Sequence, residues 1–320
     1  MFCLCWHNKP NYITLLNQSK PILYIQDMST LAVSIIIPTM LANPNLLRSC
    51  LDSLSKLKTP AKFEVIIVGN VAEPTLNQFR KSQRLSYPAI WLALESNQGF
   101  AKAANAGIAK SQAEFIALLN DDAQVDQNWL SELLSVCQQS GADMVASNIY
   151  LADKKSLDSQ GFSFAWRGKA EAITNHDIEL KSWPDYWLND NNRELFSSTK
   201  SQFWCEPFGP DAAACLFTRK LFDKIGDFNE NFFAYLEDVE LALRARQAGF
   251  HCALAEKAVV YHHKHASSAK ISGFKAKQDF KNWWRIVVDT YPEKAWGKYW
   301  YLILVERLKN LSGLFKSRLH

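Results

Sequence analysis

The sequence has no apolar run that approaches the roughly 20 residues of a membrane-spanning helix. It also lacks low-complexity segments and internal repeats, which argues against an intrinsically disordered chain. Hydrophobic residues make up 48% of the 320 positions, and this fraction is enough to build a real core. These totals predict one large folded domain or two closely joined ones.

Paired cysteine motifs are missing. The chain has seven cysteines, an odd number, and no Cys-x-x-Cys segment. Because a chain of this size needs no disulfide bonds, we expect reduced thiols in a cytoplasmic protein. Asn8, Lys9 and Asn11 interrupt the N-terminus before a signal peptide could form, and the regular pattern begins after Met28, an alternative start. Residues 1–30 are predicted to be an N-terminal extension.

The common phosphate-binding loops are absent as well. The chain contains no Gly-x-x-x-x-Gly-Lys-[Ser/Thr] segment, and no Gly-x-Gly-x-x-Gly segment follows the first predicted strand. These absences disfavour a P-loop nucleoside triphosphatase and a dinucleotide-dependent dehydrogenase. If the protein binds a phosphate group, a cation has to hold it.

Strand and helix patterns alternate up to about residue 140. Continuous β-branched runs predict strands, and apolar residues at helical spacing predict helices. The predicted strands are Val33–Pro38, Phe63–Val68, Ala89–Leu94 and Phe115–Leu119, and the predicted helices follow Asn43 and Pro74 and cover Gly99–Ala109 and Trp129–Cys137. This alternation predicts an α/β fold with an open, mostly parallel sheet and helices on both faces.

The ends of these strands are marked by Thr39, Gly69, Glu95–Asn97 and Asn120–Asp122. Sheets of this type bind ligands in the crevice beyond the carboxyl ends of their strands. The sequence therefore predicts a ligand site at this edge of the sheet.

The alternation stops after Tyr150. Residues 151–205 are polar and aromatic, and they are predicted to form long loops and a hairpin. Farther on, the patterns predict a helix over Leu236–Gly249 and a last strand over Cys252–His262.

Two adjacent carboxylates, Asp121 and Asp122, follow the fourth predicted strand. Acidic residues in this position often cap the next helix. Asp126 is better placed to cap the helix that begins at Trp129, which leaves the pair without a structural role. Closely spaced oxygen ligands suit Mg²⁺ or Mn²⁺, which take their remaining ligands from phosphate and water.

A second acidic pair, Glu237–Asp238, opens a predicted helix. Acidic residues are favourable at the positive end of the helix dipole, and this explains the pair without any function. Alternatively, Phe232, Phe233 and Tyr235 form an apolar wall in front of it. Such a wall would raise a carboxyl pKa and make a usable general base. The residues alone support both interpretations equally.

Three histidines, His262, His263 and His265, lie at the end of the last predicted strand. A single histidine is usually structural, but three at a strand end favour at least one metal ligand. A three-histidine zinc hydrolase is an alternative, although it would leave the pair at Asp121 and Asp122 unexplained.

Together with SNQGFAKAANAGI at Ser96–Ile108, these stretches resemble glycosyltransferase family 2, and rhamnosyltransferase-like members look most similar. The resemblance covers about residues 33–265 and implies the GT-A fold, with its Rossmann-like sheet. It implies a nucleotide-binding half at 31–125 and an acceptor half at 126–265, followed by a helical tail at 266–320.

The resemblance also implies roles for individual residues. The donor nucleotide would lie against Thr39, Asn97, Gly99, Phe100, Asn105, Asn120 and Asp121; the metal would bind Asp122 and His262; Asp238 with Glu237 would supply the base; and Asp211 would touch a sugar hydroxyl. One departure concerns the segment after the second strand, where the family usually has Asp-Asn-x-Ser. Here Gly69 stands in place of that aspartate, which puts the nucleotide contact in doubt.

The implied activity is an inverting, Mg²⁺- or Mn²⁺-dependent transfer from a nucleoside-diphosphate sugar, such as dTDP-rhamnose or a UDP-sugar. The acceptor would be a hydroxyl of a glycan or lipid-linked glycan in cell-surface polysaccharide synthesis. A nucleotidyltransferase is one alternative, but Pro38–Ala42 lacks the Gly-rich basic loop that it would need. A non-catalytic sugar-nucleotide or glycan-binding protein is another, and the retention of Asp122 and Asp238 argues against it.

The C-terminal tail is basic. Residues 264–320 contain 12 Lys and Arg against 4 Asp and Glu, although the net charge of the whole chain is only +4. Residues 296–320 include an amphipathic helix with Trp and Tyr near one end, which predicts peripheral contact with the inner face of the cell membrane. A helix packed on the core and a homodimer contact are the alternatives, and no nucleic-acid partner is predicted.

Overall fold

A computed structural model describes residues 32–165, 168–174, 207–264, 274–291 and 293–316. These residues contain eleven strands and eight helices. The strands are β1 Val33–Thr39, β2 Phe63–Gly69, β3 Ala89–Ala93, β4 Phe115–Leu119, β5 Ala123–Val125, β6 Met144–Leu151, β7 Leu157–Ser159, β8 Phe162–Ala165, β9 Lys169–Ala172, β10 Ala214–Thr218 and β11 Cys252–His262. The helices are α1 Pro44–Leu54, α2 Glu73–Lys81, α3 Phe100–Lys110, α4 Trp129–Ser140, α5 Arg219–Ile225, α6 Glu237–Gln247, α7 Phe274–Asp289 and α8 Glu293–Lys316.

The main sheet has nine strands, in the order β3-β2-β1-β4-β10-β6-β11-β5, with β7 paired to β6. Strands β1 to β4 form its parallel half, because β1 lies parallel to both β2 and β4, and β2 lies parallel to β3. Every residue of β1 is buried, as expected for a strand covered on both faces. The predicted α/β fold with a mostly parallel sheet is confirmed.

The second half of the sheet is mixed. Strand β10 lies antiparallel between β4 and β6, and β11 pairs parallel with β6 and antiparallel with β5. The predicted hairpin is β8–β9, which forms a separate two-stranded sheet. The predicted extension at 1–30, residues 175–205 of the predicted loop segment, and His265 lie outside the described residues.

The core has two layers, one on each face of the sheet. The side chains of β1 alternate between them, since Ile36 lies in one cluster and Ile35 and Ile37 lie in the other. Helices α3, α6 and α7 cover the first face, and α1 and α4 cover the second. The continuous apolar runs of the sequence are therefore buried on both sides.

The structure corrects one predicted helix boundary. Helix α4 begins at Trp129 as expected, but its N-cap residue is Asn128 and not Asp126. The Oδ1 atom of Asp126 instead accepts the backbone N–H of Asn128 at 2.9 Å, which closes the turn before the helix. Asp126 still has a local structural role, so Asp121 and Asp122 remain available for another.

Helix α7 and part of α8 pack on the core. Trp283, Ile286 and Val287 of α7 are buried, as are Ile303 and Arg307 of α8. None of the helices in the described part of the chain is both long enough and apolar enough to span a bilayer.

Candidate functional site

A cavity of about 670 Å³ opens beyond the carboxyl ends of β1 and β4. All but one of the residues predicted to act at the site line it, namely Thr39, Asn97, Gly99, Phe100, Asn120, Asp121, Asp122, Asp211, Glu237, Asp238 and His262. The sheet crevice predicted from strand order is therefore a real concave site. The remaining predicted residue, Asn105, lies elsewhere.

Asp121 is held from the end of β1. Its Oδ2 atom accepts the hydroxyl of Thr39 at 2.5 Å, and Thr39 accepts the backbone N–H of Leu41 at 2.9 Å. Burial raises the pKa of Asp121 to about 6, although the Thr39 hydrogen bond opposes this shift. Thr39 thus fixes one carboxylate of the first acidic pair at the mouth of the cavity.

Asp122 faces His262, and strand pairing brings them together. Strand β5 pairs with β11 so that Ala123 lies opposite His262, and the backbone N–H of His263 donates to the carbonyl of Asp122 at 2.9 Å. The Oδ1 atom of Asp122 consequently lies 3.1 Å from Nε2 of His262. Both side chains are almost fully buried.

A third residue, Asp158, completes this group. Its Oδ2 atom lies 3.3 Å from Nδ1 of His262, and its Oδ1 atom accepts Nζ of Lys264 at 2.5 Å. Burial alone would lower the pKa of His262, but its bonds to Asp122 and Asp158 raise that pKa to about 10. Burial likewise opposes ionisation of Asp158, yet hydrogen bonds from His262 and Lys264 hold its pKa below the usual value.

Sequence patterns did not point to Asp158 or Lys264. Asp158 lies on the three-residue strand β7, which pairs antiparallel with β6 and so reaches the cavity. The signal that could have found it is local: a polar Asp-Ser-Gln stretch ends at Gly161, whose φ of 87° marks a sharp turn.

The donor atoms at Asp122 and His262 fit a divalent cation such as Mn²⁺. A carboxylate oxygen and a neutral imidazole nitrogen are suitable ligands, so a cation would displace the Nε2 proton that His262 shares with Asp122. A carboxylate on the other ring nitrogen is the usual partner that orients a metal-binding histidine. Asp158 occupies that second position. Within the described residues no cluster of three or more His, Cys, Asp or Glu side chains forms a closed metal cage. A bound cation would therefore take further ligands from phosphate and water.

The second acidic pair sits at the first turn of α6. Two successive residues with left-handed backbone, Tyr235 (φ 69°) and Leu236 (φ 68°), lead into Glu237. Neither is a glycine, and each costs on the order of 1–3 kcal/mol unless its surroundings enforce it. This turn directs Glu237 and Asp238 into the cavity, where the loop and α6 meet.

Burial shapes the chemistry of this pair. It raises the pKa of Glu237, and the neighbouring Asp238 adds to the shift. It also raises the pKa of Asp238, and Asp211 adds to that shift. The Oε2 atom of Glu237 has no hydrogen-bond partner among the described residues. Raised carboxyl pKa values are what the apolar-wall interpretation of the pair predicts.

Backbone groups orient Asp238. Its Oδ1 atom accepts the N–H of Val239 at 2.8 Å, and its Oδ2 atom accepts the N–H of Ala212 at 3.3 Å. The neighbouring Asp211 accepts the N–H of Ala213 at 2.9 Å, and this bond fixes the segment before β10. Asp238 is partly exposed toward the cavity, so a ligand hydroxyl could reach it.

The Asn97–Phe100 turn forms another wall of the cavity. Asn97 accepts the N–H of Gly99 at 3.1 Å, and a Cβ atom on Gly99 (φ 91°) would lie 2.2 Å from the carbonyl oxygen of Phe233. Only glycine fits there. The buried Asn70 donates to the Gly99 carbonyl at 3.1 Å and accepts the N–H of Gln98 at 3.1 Å. Asn70 therefore supports this turn beside Gly69, where the family usually has an aspartate.

Asn105 does not line the cavity. Its side chain donates to the carbonyl of Phe228 at 2.8 Å and accepts the N–H of Phe228 at 3.0 Å, so it joins α3 to the loop before α6. The nucleotide contact predicted for Asn105 conflicts with this position. Its amide is committed to holding the backbone.

The arrangement of sheet and helices is a GT-A fold, which solved glycosyltransferase structures share. The TarS protein of S. aureus, solved in complex with UDP-GlcNAc, superimposes with a TM-score of 0.55 over 87% of this chain and 72% of that one. The two sequences are 16% identical, so the likeness is one of fold.

Residues 34–226, well over half of the chain, match the sequence profile of Glycosyl transferase family 2. The chain therefore belongs to glycosyltransferase family 2.

Two relatives illustrate how far the likeness extends. Protein y4gI of Sinorhizobium fredii is 29% identical over 240 residues, which are 73% of this chain and 25% of that protein. The N-acetylglucosaminyl-diphospho-decaprenol L-rhamnosyltransferase of Mycobacterium tuberculosis is 37% identical over 97 residues, or 30% of each chain. This chain therefore spans about a quarter of the first relative and under a third of the second.

Proposed function

We propose that this protein transfers a sugar from a nucleoside-diphosphate sugar to a hydroxyl of a glycan or lipid-linked glycan, with inversion at the anomeric carbon. The observation that carries the proposal is the meeting of two acidic pairs in one cavity. Asp122 faces a histidine, whereas Asp238 lies in an apolar setting. The first suits a cation and its diphosphate, and the second suits a base.

The comparisons support the substrate class. TarS was solved with UDP-GlcNAc, and the mycobacterial relative is named for rhamnosyl transfer to a diphospho-decaprenol-linked sugar. A nucleotidyltransferase would use phosphate chemistry on a similar sheet, but the family match lies with glycosyl transfer.

The mechanism is a single displacement. Asp238, ionised and oriented by two backbone N–H groups, accepts the proton of the acceptor hydroxyl. The acceptor oxygen attacks the anomeric carbon from the face opposite the leaving group, forms the new C–O bond, and breaks the bond to the nucleoside diphosphate. Asp211 lines the same cavity and adds to the raised pKa of Asp238, and in this proposal it would receive a sugar hydroxyl.

Asp122 and His262 would hold a divalent cation, Mg²⁺ or Mn²⁺, and Asp158 would orient the histidine. When bound, the cation supplies positive charge for the phosphate oxygens of the leaving group. Thr39, Asn97 and the turn at Gly99, which line the same cavity, would lie along the nucleotide.

The test is a thermal-shift panel of UDP-, dTDP- and GDP-sugars with Mn²⁺, followed by a donor-turnover assay. We expect one nucleotide class to stabilise the protein, and we expect turnover that stops on addition of a chelator. Binding without turnover, with or without an added glycan acceptor, would favour the non-catalytic alternative.

We also propose that α8 contacts an anionic membrane surface. Its inward face is buried at Ile303 and Arg307. Its outward face exposes large apolar side chains, namely Trp296, Trp300, Tyr301, Leu304, Val305 and Leu308. Indole and phenol rings favour the lipid–water interface, and the tail carries an excess of basic residues that would attract anionic headgroups.

Sedimentation with vesicles tests this contact. We expect the protein to sediment with vesicles that contain phosphatidylglycerol more than with neutral ones, and the double variant Trp300→Ser/Leu304→Ser to lose this binding. If the variant instead shifts a dimer to a monomer in light scattering and still sediments, the face is a dimer contact.

A further inference from the structure

We infer that α7, which follows the segment matched by the family, is part of the catalytic unit and that Asn282 is a positioning residue for Glu237 and Asp238. The catalytic role in this inference rests on the proposed function. The contacts between α7 and the loop before Glu237 are described by the structure itself. Helix α7 begins at Phe274, well beyond residue 226, where the family match ends.

Asn282 fastens the loop before the second acidic pair. It is completely buried, and its side-chain amide donates to the carbonyl of Ala234 at 2.9 Å and to that of Tyr235 at 2.7 Å. An amide N–H₂ group has two N–H donors, so one side chain can serve both carbonyls. These two carbonyls belong to the residues that enter the left-handed turn at Tyr235 and Leu236.

Other groups of α7 hold the same loop. Arg285 donates to the carbonyl of Asn231 at 2.5 Å, and its guanidinium carbon lies 5.7 Å from the ring centre of Phe232. The ring of Phe274 lies 6.2 Å from that of Phe233 and 6.3 Å from that of Tyr235. Helix α7 therefore contacts the loop along its length, from residue 231 to residue 235.

Helix α3 holds the opposite side of the loop. The backbone N–H of Phe100 donates to the carbonyl of Phe233 at 2.7 Å, directly beside Gly99. The N–H of Glu240 donates to the carbonyl of Leu236 at 3.0 Å, and this bond begins α6. The loop carbonyls are thus held by α7, α3 and α6, and this arrangement enforces the left-handed residues before Glu237.

The contacts made by Asn282 affect catalysis through the position of Asp238. Asp238 must stand within hydrogen-bond reach of the acceptor hydroxyl, and a shift of about 1 Å in such a group can cost about 100-fold in rate. Asn282 touches neither substrate nor the reacting atoms in this arrangement. It acts by fixing the backbone turn that directs the acidic pair into the cavity.

The test uses the full chain and the near-isosteric variant Asn282→Asp, which replaces both donors with a carboxylate that faces two carbonyls. The matched control is Gln247→Ala, which removes an amide hydrogen bond to the carbonyl of Thr290 at the other end of α7. Amide hydrogen exchange over residues 231–240 provides a readout independent of activity. We expect faster exchange there in Asn282→Asp and unchanged exchange in the control.

Kinetics separate positioning from folding. For Asn282→Asp we expect kcat for transfer to fall about 100-fold while the KM for the donor stays within about twofold. In an Asp238→Asn background the same change should lower the residual rate by less than about twofold, because the group being positioned is already disabled. Substitution of a merely structural residue would instead lower the transfer rate by the same factor in both backgrounds.

Unchanged exchange over 231–240, or equal effects in the two backgrounds, would overturn the inference. If the wild-type protein transfers no sugar from any donor in the panel, the proposed function fails, and the exchange result alone still decides whether Asn282 holds the loop. A second variant, Arg285→Gln, should reproduce the faster exchange at residue 231.

Discussion

The two acidic pairs of the cavity have similar composition, and burial raises a carboxyl pKa in each of them, but only the first pair faces a histidine. Asp122 is paired with His262, whose pKa is about 10, and the two side chains approach to 3.1 Å. Glu237 and Asp238 instead face an apolar wall and one another, and burial raises the pKa of each. The histidine beside Asp122 gives the first pair a nitrogen ligand for a cation, whereas the second pair offers carboxyl groups alone. Surroundings, not residue type, therefore separate a cation site from a base.

The largest expected effect comes from Asp238→Asn. Loss of a general base typically costs about 10²- to 10⁴-fold, so sugar transfer should fall by that factor while donor binding persists. Transfer rates measure the loss of the base at Asp238, and calorimetry measures donor affinity separately. Asp126→Asn, an aspartate in the turn before α4, is the matched control. A normal transfer rate in Asp238→Asn would refute the assignment of the base.

The next effect is expected at the first pair. Asp158→Asn should weaken Mn²⁺ binding by about 10- to 100-fold, because a residue that orients a metal-binding histidine typically contributes that much. Manganese paramagnetic resonance measures this without turnover. Asp153→Asn, which alters a nearby surface turn closed by Ser156, should leave Mn²⁺ binding unchanged. If Asp158→Asn bound Mn²⁺ with the affinity of the wild-type protein, the assignment of His262 as a metal ligand would be refuted.

The pH profile sharpens the comparison further. Because burial raises the pKa of Asp238, its ionised form should be lost on acidification near neutral pH and not near the usual value of about 3.9. Below that pKa, kcat/KM should fall about tenfold per pH unit. A profile measured from about pH 5 to about pH 9 that stays flat would contradict a base with a raised pKa.

The smallest effect concerns stability. The pKa of Glu237 is higher in the folded protein than in the unfolded chain, so its charge destabilises the fold increasingly as pH rises through that interval. Glu237→Gln should therefore raise the free energy of unfolding by at least about 1 kcal/mol at about pH 9 and by almost nothing at about pH 4, below the unfolded pKa. Urea titrations at both pH values measure the difference. A gain that is the same at both values would show that desolvated charge is not the cause.

Much of the fold was predictable because its signals are local. The strands β1, β2 and β4 are continuous apolar runs, and such runs are typical of strands buried on both faces. Parallel strands present their carboxyl ends at one edge of a sheet, and this rule is sufficient to bring Thr39 and Asp122 to the same crevice.

The features of the site that the sequence did not predict depend on contacts between residues far apart in the chain. Asp158 reaches the cavity only because β7 pairs with β6, and a three-residue strand carries no readable period. Asn105 matched a family segment, yet its amide is bound to the loop at Phe228, a contact across 123 positions of sequence. The contacts of Asn282 with Ala234 likewise span 48 positions, and no spacing rule predicts them.

The position of β10 has a consequence for biosynthesis. This strand, Ala214–Thr218, inserts between β4 and β6, which end at residues 119 and 151. While the ribosome is still making the segment before residue 214, both neighbours present open edges to the cell. Such edges invite pairing with other chains, and late non-local insertion is slow. The nascent chain should therefore depend on chaperones until β10 emerges, and truncations that end before it should aggregate.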